Sequence, residues 1–373
     1  MSNSATTNHL AHDLDHVLAR TESLWQELRG QRILITGATG FFGCWLLESF
    51  AWANQRLNLN ARAVGLARRP QTLTQKAPHL ASDPAILLHA ADVRCDDFPH
   101  REAPQDAFSH VIHAATEASA ALNQQAPFLM FDTIFSGTRR TLDFAAANSV
   151  RKFLFVSSGA VYGTQPSPLA HVDESYNGGP DPLDPANAYA EGKRSAEQLC
   201  AMAASSDLEI KIARCFAFVG PYMQLDAHFA IGNFIYDRMR QRPLRVQGDG
   251  SAVRSYLYAS DLMVWLWTIL FKGQSLRAYN VGSEEALNIA TVARTVADAL
   301  PPAVEVNIAS QPTPNEQVHR YVPSTARARD ELGLRDEVPL REAIGRTHAW
   351  FSGSTFSEQP NSMSAAARRG SHA

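Results

Sequence analysis

Short apolar runs alternate with longer stretches in which apolar residues return every three or four positions, and this alternation holds through roughly the first 216 residues. Ile33 to Ile35, Ala61 to Leu66, Ile86 to His89, His110 to His113, Lys152 to Val156 and Glu209 to Arg214 read as strands. Between them, 41 to 55, 126 to 148 and the stretch carrying Tyr189 and Lys193 read as helices. Strand and helix in alternation predict a parallel sheet, because each parallel pairing needs a crossover segment. Ahead of it, Leu10, Leu14, Val17, Leu18, Leu24, Trp25 and Leu28 predict one amphipathic helix over 10 to 29, within an amino-terminal segment 1–30.

Beyond the sixth strand the alternation becomes irregular. A helix over 228 to 240, a short strand at Leu244 to Val246 and the turn Gln247 to Ser251 suit a smaller lobe built from insertions. A helix over 260 to 271 and a strand at 278 to 281 return to the main sheet, and 288 to 351 add helices and an edge strand around Val304 to Ile308. The segment 164 to 186, rich in Pro, Gly, Asp and Asn, reads as a loop over the sheet edge. The expected organisation is a dinucleotide-binding domain over 31–216, with 256–282 returning to it. A substrate lobe from 217–255 and 283–351 follows, and a polar, small-residue tail over 352–373 is expected to be disordered.

Within the first strand-to-helix junction, Gln31 to Gly43 reads QRILITGATGFFG. Gly37, Gly40 and Gly43 stand three apart between a strand and a helix start. The first allows a sharp turn, the second allows backbone N–H groups to approach a pyrophosphate, and the third lets helix pack on strand. The fold class is therefore α/β, a Rossmann-type doubly wound parallel sheet with a smaller α/β carboxy-terminal substrate lobe. Thr39, Phe41 and Phe42 fall inside the same cradle.

The strand ends refine the cofactor. Where a carboxylate normally meets the adenosine ribose, the second strand ends in Ala67, Arg68 and Arg69, which predicts NADP(H) over NAD(H). Asp92, next to Val93 after the third strand, is placed to bond the adenine amino group, and Ala114, Ala115 and Thr116 leave room for a cofactor along the sheet.

Composition closes off other classes. A net charge of −3 with 19% charged residues gives no basic footprint for nucleic acid. Cys44, Cys95, Cys200 and Cys215 lie far apart, and three of them sit in apolar patterns, so they read as reduced thiols and not as a disulfide or metal framework. No apolar run approaches membrane length and no signal peptide is evident, so a cytoplasmic location is expected.

Tyr189 and Lys193 are spaced i, i+4 and share one helical face, and Ser158 follows the fifth strand. A tyrosine phenol titrates too high to act as a base at neutral pH, and an adjacent ammonium together with a cationic nicotinamide is expected to lower it. Ser158 would hydrogen-bond the same substrate oxygen, and Lys193 the nicotinamide ribose. The set suits hydride transfer at a carbinol carbon.

With these residues in place, roughly 30 to 350 resembles the extended short-chain dehydrogenase/reductase family and its nucleotide-sugar epimerase/dehydratase group. The shared motifs are the glycine loop, Asp92-Val93, His113-Ala114-Ala115, Ser158 with Val161-Tyr162-Gly163, Tyr189/Lys193 and Val219-Gly220-Pro221. The resemblance implies that Arg254, after Gly248-Asp249-Gly250, pairs with a nucleotide diphosphate, and that Asn233 faces it. It also implies Cys215, Phe216 and Phe218 at the cofactor, Ala160 at the substrate, and a homodimer formed by the 126 to 148 helix and the Tyr189 helix.

Family dehydratases carry an acid/base pair directly after the catalytic Ser or Thr; here Gly159 and Ala160 occupy those positions, which disfavours a 4,6-dehydratase or a glucuronate decarboxylase of the usual type. Ala217 and Ile134 stand where asparagines are usual, and Glu117, Thr116 and His228 are the polar groups that could replace them. The expected activity is a 4-epimerase or 4-keto reductase acting on a nucleotide-diphosphate sugar. The alternatives are a 4,6-dehydratase, or a non-catalytic cofactor sensor, which the presence of Ser158, Tyr189 and Lys193 argues against.

Overall fold

A seven-stranded sheet runs through the centre of the computed structural model, which describes residues 8–99, 107–116, 120–226, 229–311 and 318–353. Glu117, His228, residues 1–7 and the tail from 354 onward lie outside the described residues. The chain enters through α1 (Ala11–Thr21), β1 (Arg32–Thr36), α2 (Phe41–Leu57), β2 (Arg62–Ala67), α3 (Gln71–Lys76), α4 (Pro78–Ala81) and β3 (Ile86–Ala90). It continues through β4 (Phe108–His113), α5 (Ala120–Gln125), α6 (Pro127–Ala147), β5 (Lys152–Ser158), α7 (Ala188–Ala203) and β6 (Glu209–Cys215).

The second lobe interleaves β7 (Phe218–Val219), α8 (Ala230–Met239), β8 (Leu244–Val246), β9 (Val253–Arg254) and β10 (Leu257–Tyr258). Then come α9 (Ala259–Lys272), β11 (Ala278–Val281), β12 (Leu287–Asn288), α10 (Ile289–Asp298), β13 (Val306–Ile308), β14 (Arg320–Tyr321), α11 (Ala326–Leu332) and α12 (Leu340–Gly353).

The main sheet is parallel throughout, in the order β11-β6-β5-β4-β1-β2-β3. Strand order reverses between β1 and β4, and the crevice outside that reversal is where such sheets bind ligands. Tertiary pairing carries β5 past the apolar run, because Ser157 and Ser158 stay in register with Arg214 and Cys215 of β6. Val304 to Ile308 was expected at an edge; β13 pairs with β8 inside the second lobe.

Helix α9 is apolar on all sides because it is covered on all sides: it packs on β5 and β6 beneath and on α1 and α2 above. The expected single helix over 10 to 29 is instead α1 followed by a 3₁₀ turn over 22–28. Thr21 Oγ1 donates back to the Val17 carbonyl at 2.6 Å and accepts from Trp25 Nε1 at 2.8 Å, which tightens the winding. Eclipsed i, i+3 side chains then bring Trp25 and Leu28 inward together, and Trp25 meets Trp267 of α9 with ring centroids 4.5 Å apart. The segment is pinned by a buried carboxylate: Asp13 accepts from the Tyr258 hydroxyl at 2.7 Å and pairs with Arg346 of α12.

A small three-stranded sheet, β12-β9-β14, joins the second lobe to the sheet edge. In its β9–β14 pair, Arg254 is the register partner of Tyr321. The four cysteines are free; Cys44, Cys200 and Cys215 are buried and Cys95 is exposed.

Candidate active site at the carboxyl edge of the sheet

The glycine loop follows β1 directly. Gly37 has φ +73°, and a Cβ there would stand 2.7 Å from the Ala114 carbonyl oxygen, so only glycine fits between β1 and β4. A Cβ on Gly43 would stand 2.3 Å from the Gly37 carbonyl oxygen, so the third glycine is required by helix-on-loop packing. Gly40 differs: the nearest protein atom to its Cβ position lies at an ordinary 3.4 Å, so the fold itself does not demand glycine there. Gly40 caps α2 without a side-chain hydrogen bond, and the first turn carries no acidic residue. The N–H groups of Phe41, Phe42 and Gly43 thus open the helix toward a space that suits the pyrophosphate of a dinucleotide.

Around the loop, Lys76 Nζ donates to the Thr39 carbonyl at 3.1 Å, and the Phe42 ring meets Phe218 edge-on at 5.4 Å. Arg68 and Arg69 are exposed beyond the end of β2. Asp92, expected to face adenine, has both carboxylate oxygens held by Arg94 at 2.9–3.3 Å, and that guanidinium keeps its carboxyl below the usual range. Val93 buries its side chain in the core against Gly137, so it has only backbone to offer a cofactor. Ala114 and Ala115 turn their N–H groups to Thr36 Oγ1, each at 3.2 Å.

Helix α7 presents the Tyr189 and Lys193 face to the end of β5. The Ser158 hydroxyl accepts from the Ala160 N–H at 3.1 Å, and it is the group that partly offsets the effect of burial on the Tyr189 phenol. Lys193 Nζ donates to Thr116 Oγ1 at 3.0 Å and to the Val156 carbonyl at 2.7 Å, and lies 5.0 Å above the Phe155 ring. One turn on, Glu197 accepts from Ser157 at 2.6 Å and holds Arg214 with two hydrogen bonds, which locks α7 to β5 and β6.

The expected lowering of the Tyr189 phenol is not built into this arrangement. Burial pushes Tyr189 up, only partly opposed by Ser158, because Lys193 is turned to Thr116 and Val156 and stands 6.0 Å from the phenol ring. Burial also pushes the Lys193 ammonium down to about 8.

Phe216 follows β6 and lies over Gly159, where a Cβ would stand 2.6 Å from the ring. It also packs on Tyr321, ring centroids 4.7 Å apart. The Tyr321 hydroxyl stands 3.5 Å from Ser158 Oγ and 3.5 Å from the Cys215 carbonyl, to which it donates. Sequence reasoning missed Tyr321, for which the local sequence offers no more signal than an aromatic residue two positions ahead of Pro323. Arg254 Nη1 is held by the Val253 and His319 carbonyls at 2.8 and 3.1 Å, while Asn233 is half-buried on α8. Ile134 is fully buried against Gly192, so the position where an asparagine was expected serves packing between α6 and α7.

Comparison with known proteins agrees with this geometry. The model of the NAD dependent epimerase/dehydratase family matches residues 33–282. The chain belongs to that family. UDP-glucuronic acid decarboxylase 6 of Arabidopsis thaliana is 30% identical over 84% of this chain and 86% of its own. UDP-glucuronic acid decarboxylase 2 of the same plant is 28% identical over 91% of this chain and 72% of its own. Among solved structures, UDP-glucuronic acid 4-epimerase from Bacillus cereus, in complex with UDP-glucuronic acid and NAD, superposes with TM-score 0.69 at 22% identity, covering 86% of this chain and 99% of that one. As a family member the chain is a nucleotide-sugar-modifying enzyme of the NAD-dependent group.

Proposed function

We propose that this enzyme transfers hydride at C4 of a nucleotide-diphosphate sugar, as a 4-epimerase or a 4-keto reductase. The observation that carries the reading is the convergence of Ser158, Tyr189 and Lys193 at the end of β5, beside Gly159 and Ala160, which bring no carboxylate. A bound nicotinamide supplies the hydride acceptor or donor, and its oxidised form adds a positive charge beside the phenol. Tyr189 takes or returns the hydroxyl proton of C4, and Ser158 hydrogen-bonds the same oxygen as charge builds on it. Lys193, anchored through Thr116, holds the ribose. Arg254 and, from α8, Asn233 meet the diphosphate, which a guanidinium can do with two parallel hydrogen bonds.

Arg68 and Arg69 support NADP(H) over NAD(H), against the NAD in the family's own description. Exposed Phe128 on α6 and Met202 on α7 support a homodimer through those helices, which sedimentation reads directly. Of the apolar residues Leu142, Phe144, Ala145 and Ala146 of α6, the first three are buried in the chain's own core and only Ala146 is exposed, so this stretch adds little to the argument.

A second reading is favoured by the two UDP-glucuronic acid decarboxylase relatives. Oxidising C4 of a uronic acid makes a β-keto acid, which loses carbon dioxide once the resulting enolate is stabilised. The loss of carbon dioxide itself needs no carboxylate at Gly159 or Ala160, but the proton that C5 then takes up would have to come from another group or from solvent. Purified enzyme incubated with UDP-glucose, UDP-glucuronic acid and a 4-keto-6-deoxy sugar nucleotide, with and without NADPH, separates the readings. A C4 epimer or a reduced 4-ketose supports the first, carbon dioxide with a pentose nucleotide supports the second, and inertness toward all three classes rejects both.

A further inference from the structure

We infer that the Tyr321 hydroxyl is a second neutral donor to the reacting sugar oxygen, acting beside Ser158 from the opposite lobe. The inference rests on the nucleotide-sugar reading above. Three observations converge on it.

The first is the site's missing side chains. Gly159 cannot carry even a methyl group without displacing the Phe216 ring, which would lie 2.6 Å from it. The space in which a relative would hold an acid or base is therefore filled by an apolar ring. The second is what that ring supports: Phe216 packs on Tyr321 at 4.7 Å and fixes its hydroxyl 3.5 Å from Ser158 Oγ. Among the described residues, this hydroxyl's two contacts, to Ser158 and to the Cys215 carbonyl, are both at the long end of hydrogen bonding. A half-buried phenol kept for structure alone would gain more from a short partner. The third is continuity with the diphosphate end of the site, since Tyr321 is the register partner of Arg254 in the β9–β14 pair. One two-stranded element thus offers a cation for the diphosphate and a hydroxyl for the sugar.

Burial pushes the Tyr321 phenol up, so it stays protonated across the working range and donates without taking a proton. The step balances without it: the C4 hydride goes to the nicotinamide, the C4 hydroxyl proton goes to Tyr189, and Tyr321 forms only a hydrogen bond that strengthens as the oxygen gains charge. If the ketose goes on to lose carbon dioxide, the same bond stabilises the enolate oxygen.

The test compares wild type, Tyr321→Phe, Phe216→Leu and Arg254→Ala in steady-state turnover of whichever nucleotide sugar the wild type accepts, with cofactor affinity and Tm recorded for each. Tyr321→Phe keeps the ring packing and removes only the hydroxyl. Its kcat is expected to fall about 100-fold, the loss typical of one oxyanion donor, with KM within about threefold and cofactor affinity unchanged. Phe216→Leu, which frees the Tyr321 ring but keeps its hydroxyl, is expected to lose about tenfold in kcat, and Arg254→Ala to raise KM instead. Tyr321→Phe with wild-type kcat, or with an altered KM alone, overturns the inference. Loss of cofactor binding or a collapsed Tm in Tyr321→Phe makes the residue structural, and overturns it too unless Phe216→Leu, with its fold and cofactor affinity intact, shows the kcat loss. A wild type inert toward every nucleotide sugar rejects the reading beneath it as well.

Discussion

The ring of Phe216 stands where a side chain on Gly159 would have to go, with 2.6 Å between Phe216 Cζ and the Cβ position. The absent acid/base pair is thus a packing fact as well as a sequence fact, because restoring a carboxylate at 159 requires moving a ring that also carries Tyr321. Gly159→Ala is therefore expected to destabilise the protein by about 1–3 kcal/mol through overpacking. It should lower kcat at the same time, and Gly159→Ala combined with Phe216→Leu should recover the stability but not the turnover. Urea unfolding of the three variants alongside turnover checks this; a Gly159→Ala variant with wild-type stability contradicts it.

Arg68 and Arg69 leave β2 where an acidic residue would meet a ribose hydroxyl. A pair of arginines there suits a 2′-phosphate. Fluorescence titration is expected to give tighter binding of NADPH than NADH, and Arg68→Ala should weaken NADPH roughly tenfold while leaving NADH unchanged. Equal or tighter NADH binding by the wild type would falsify the assignment.

The sheet was legible because its inner strands are buried on both faces and so read as apolar runs, as β4 shows with all six residues buried, while the edge strand β3 is partly exposed. Ser157 and Ser158 lay beyond that signal: they are strand residues only because β6 pairs with them, and no local pattern records a neighbour some 57 residues away. The Tyr189/Lys193 face could be read from i, i+4 spacing alone, whereas Tyr321 reaches Ser158 across 163 residues from a strand two residues long. Nor could spacing show that Lys193 would turn to Thr116 and Val156, leaving Tyr189 raised by burial. The amino-terminal segment was read with the right apolar positions and the wrong winding, since a periodicity of three to four does not separate an α-helix from a 3₁₀ turn.

Burial of Lys193 has a consequence for stability against pH. Its folded-state value, about 8, lies below the 10.5 of the exposed group, so between those limits the unfolded chain holds a proton that the folded chain does not. Stability from this group therefore rises with pH across that window and is flat below it. In ligand-free protein, the unfolding free energy of wild type minus that of Lys193→Met should climb between pH 8 and pH 10 by up to about 1.4 kcal/mol per pH unit. Denaturant midpoints at pH 7, 8, 9 and 10 provide the comparison, and a constant difference would show that the ammonium is not desolvated.

The fate of the C5–H bond separates the reactions that Ser158, Tyr189 and Lys193 can start. Epimerisation, dehydration and decarboxylation begin with hydride leaving C4 and its hydroxyl proton passing to Tyr189, whereas a 4-keto reductase runs that step in reverse, with hydride arriving at C4 and Tyr189 giving the proton. An epimerase returns hydride to the other face of the ketose, and a 4-keto reductase delivers it once, so neither breaks C5–H. A 4,6-dehydratase removes the C5 proton and loses water, while a uronic acid decarboxylase loses carbon dioxide and reprotonates C5 from solvent. Gly159 and Ala160 offer no group to move a C5 proton, so turnover in deuterated water is expected to leave the sugar ring free of solvent deuterium. Tyr189→Phe should abolish turnover and keep cofactor affinity within about threefold, because the glycine cradle from Gly37 to Gly43 does not depend on that phenol. Deuterium at C5 with loss of carbon dioxide would establish the decarboxylase reading, with Ser158 and Tyr321 then holding the enolate oxygen. Deuterium at C5 with loss of water would mean a dehydratase whose acid and base come from residues other than 159 and 160.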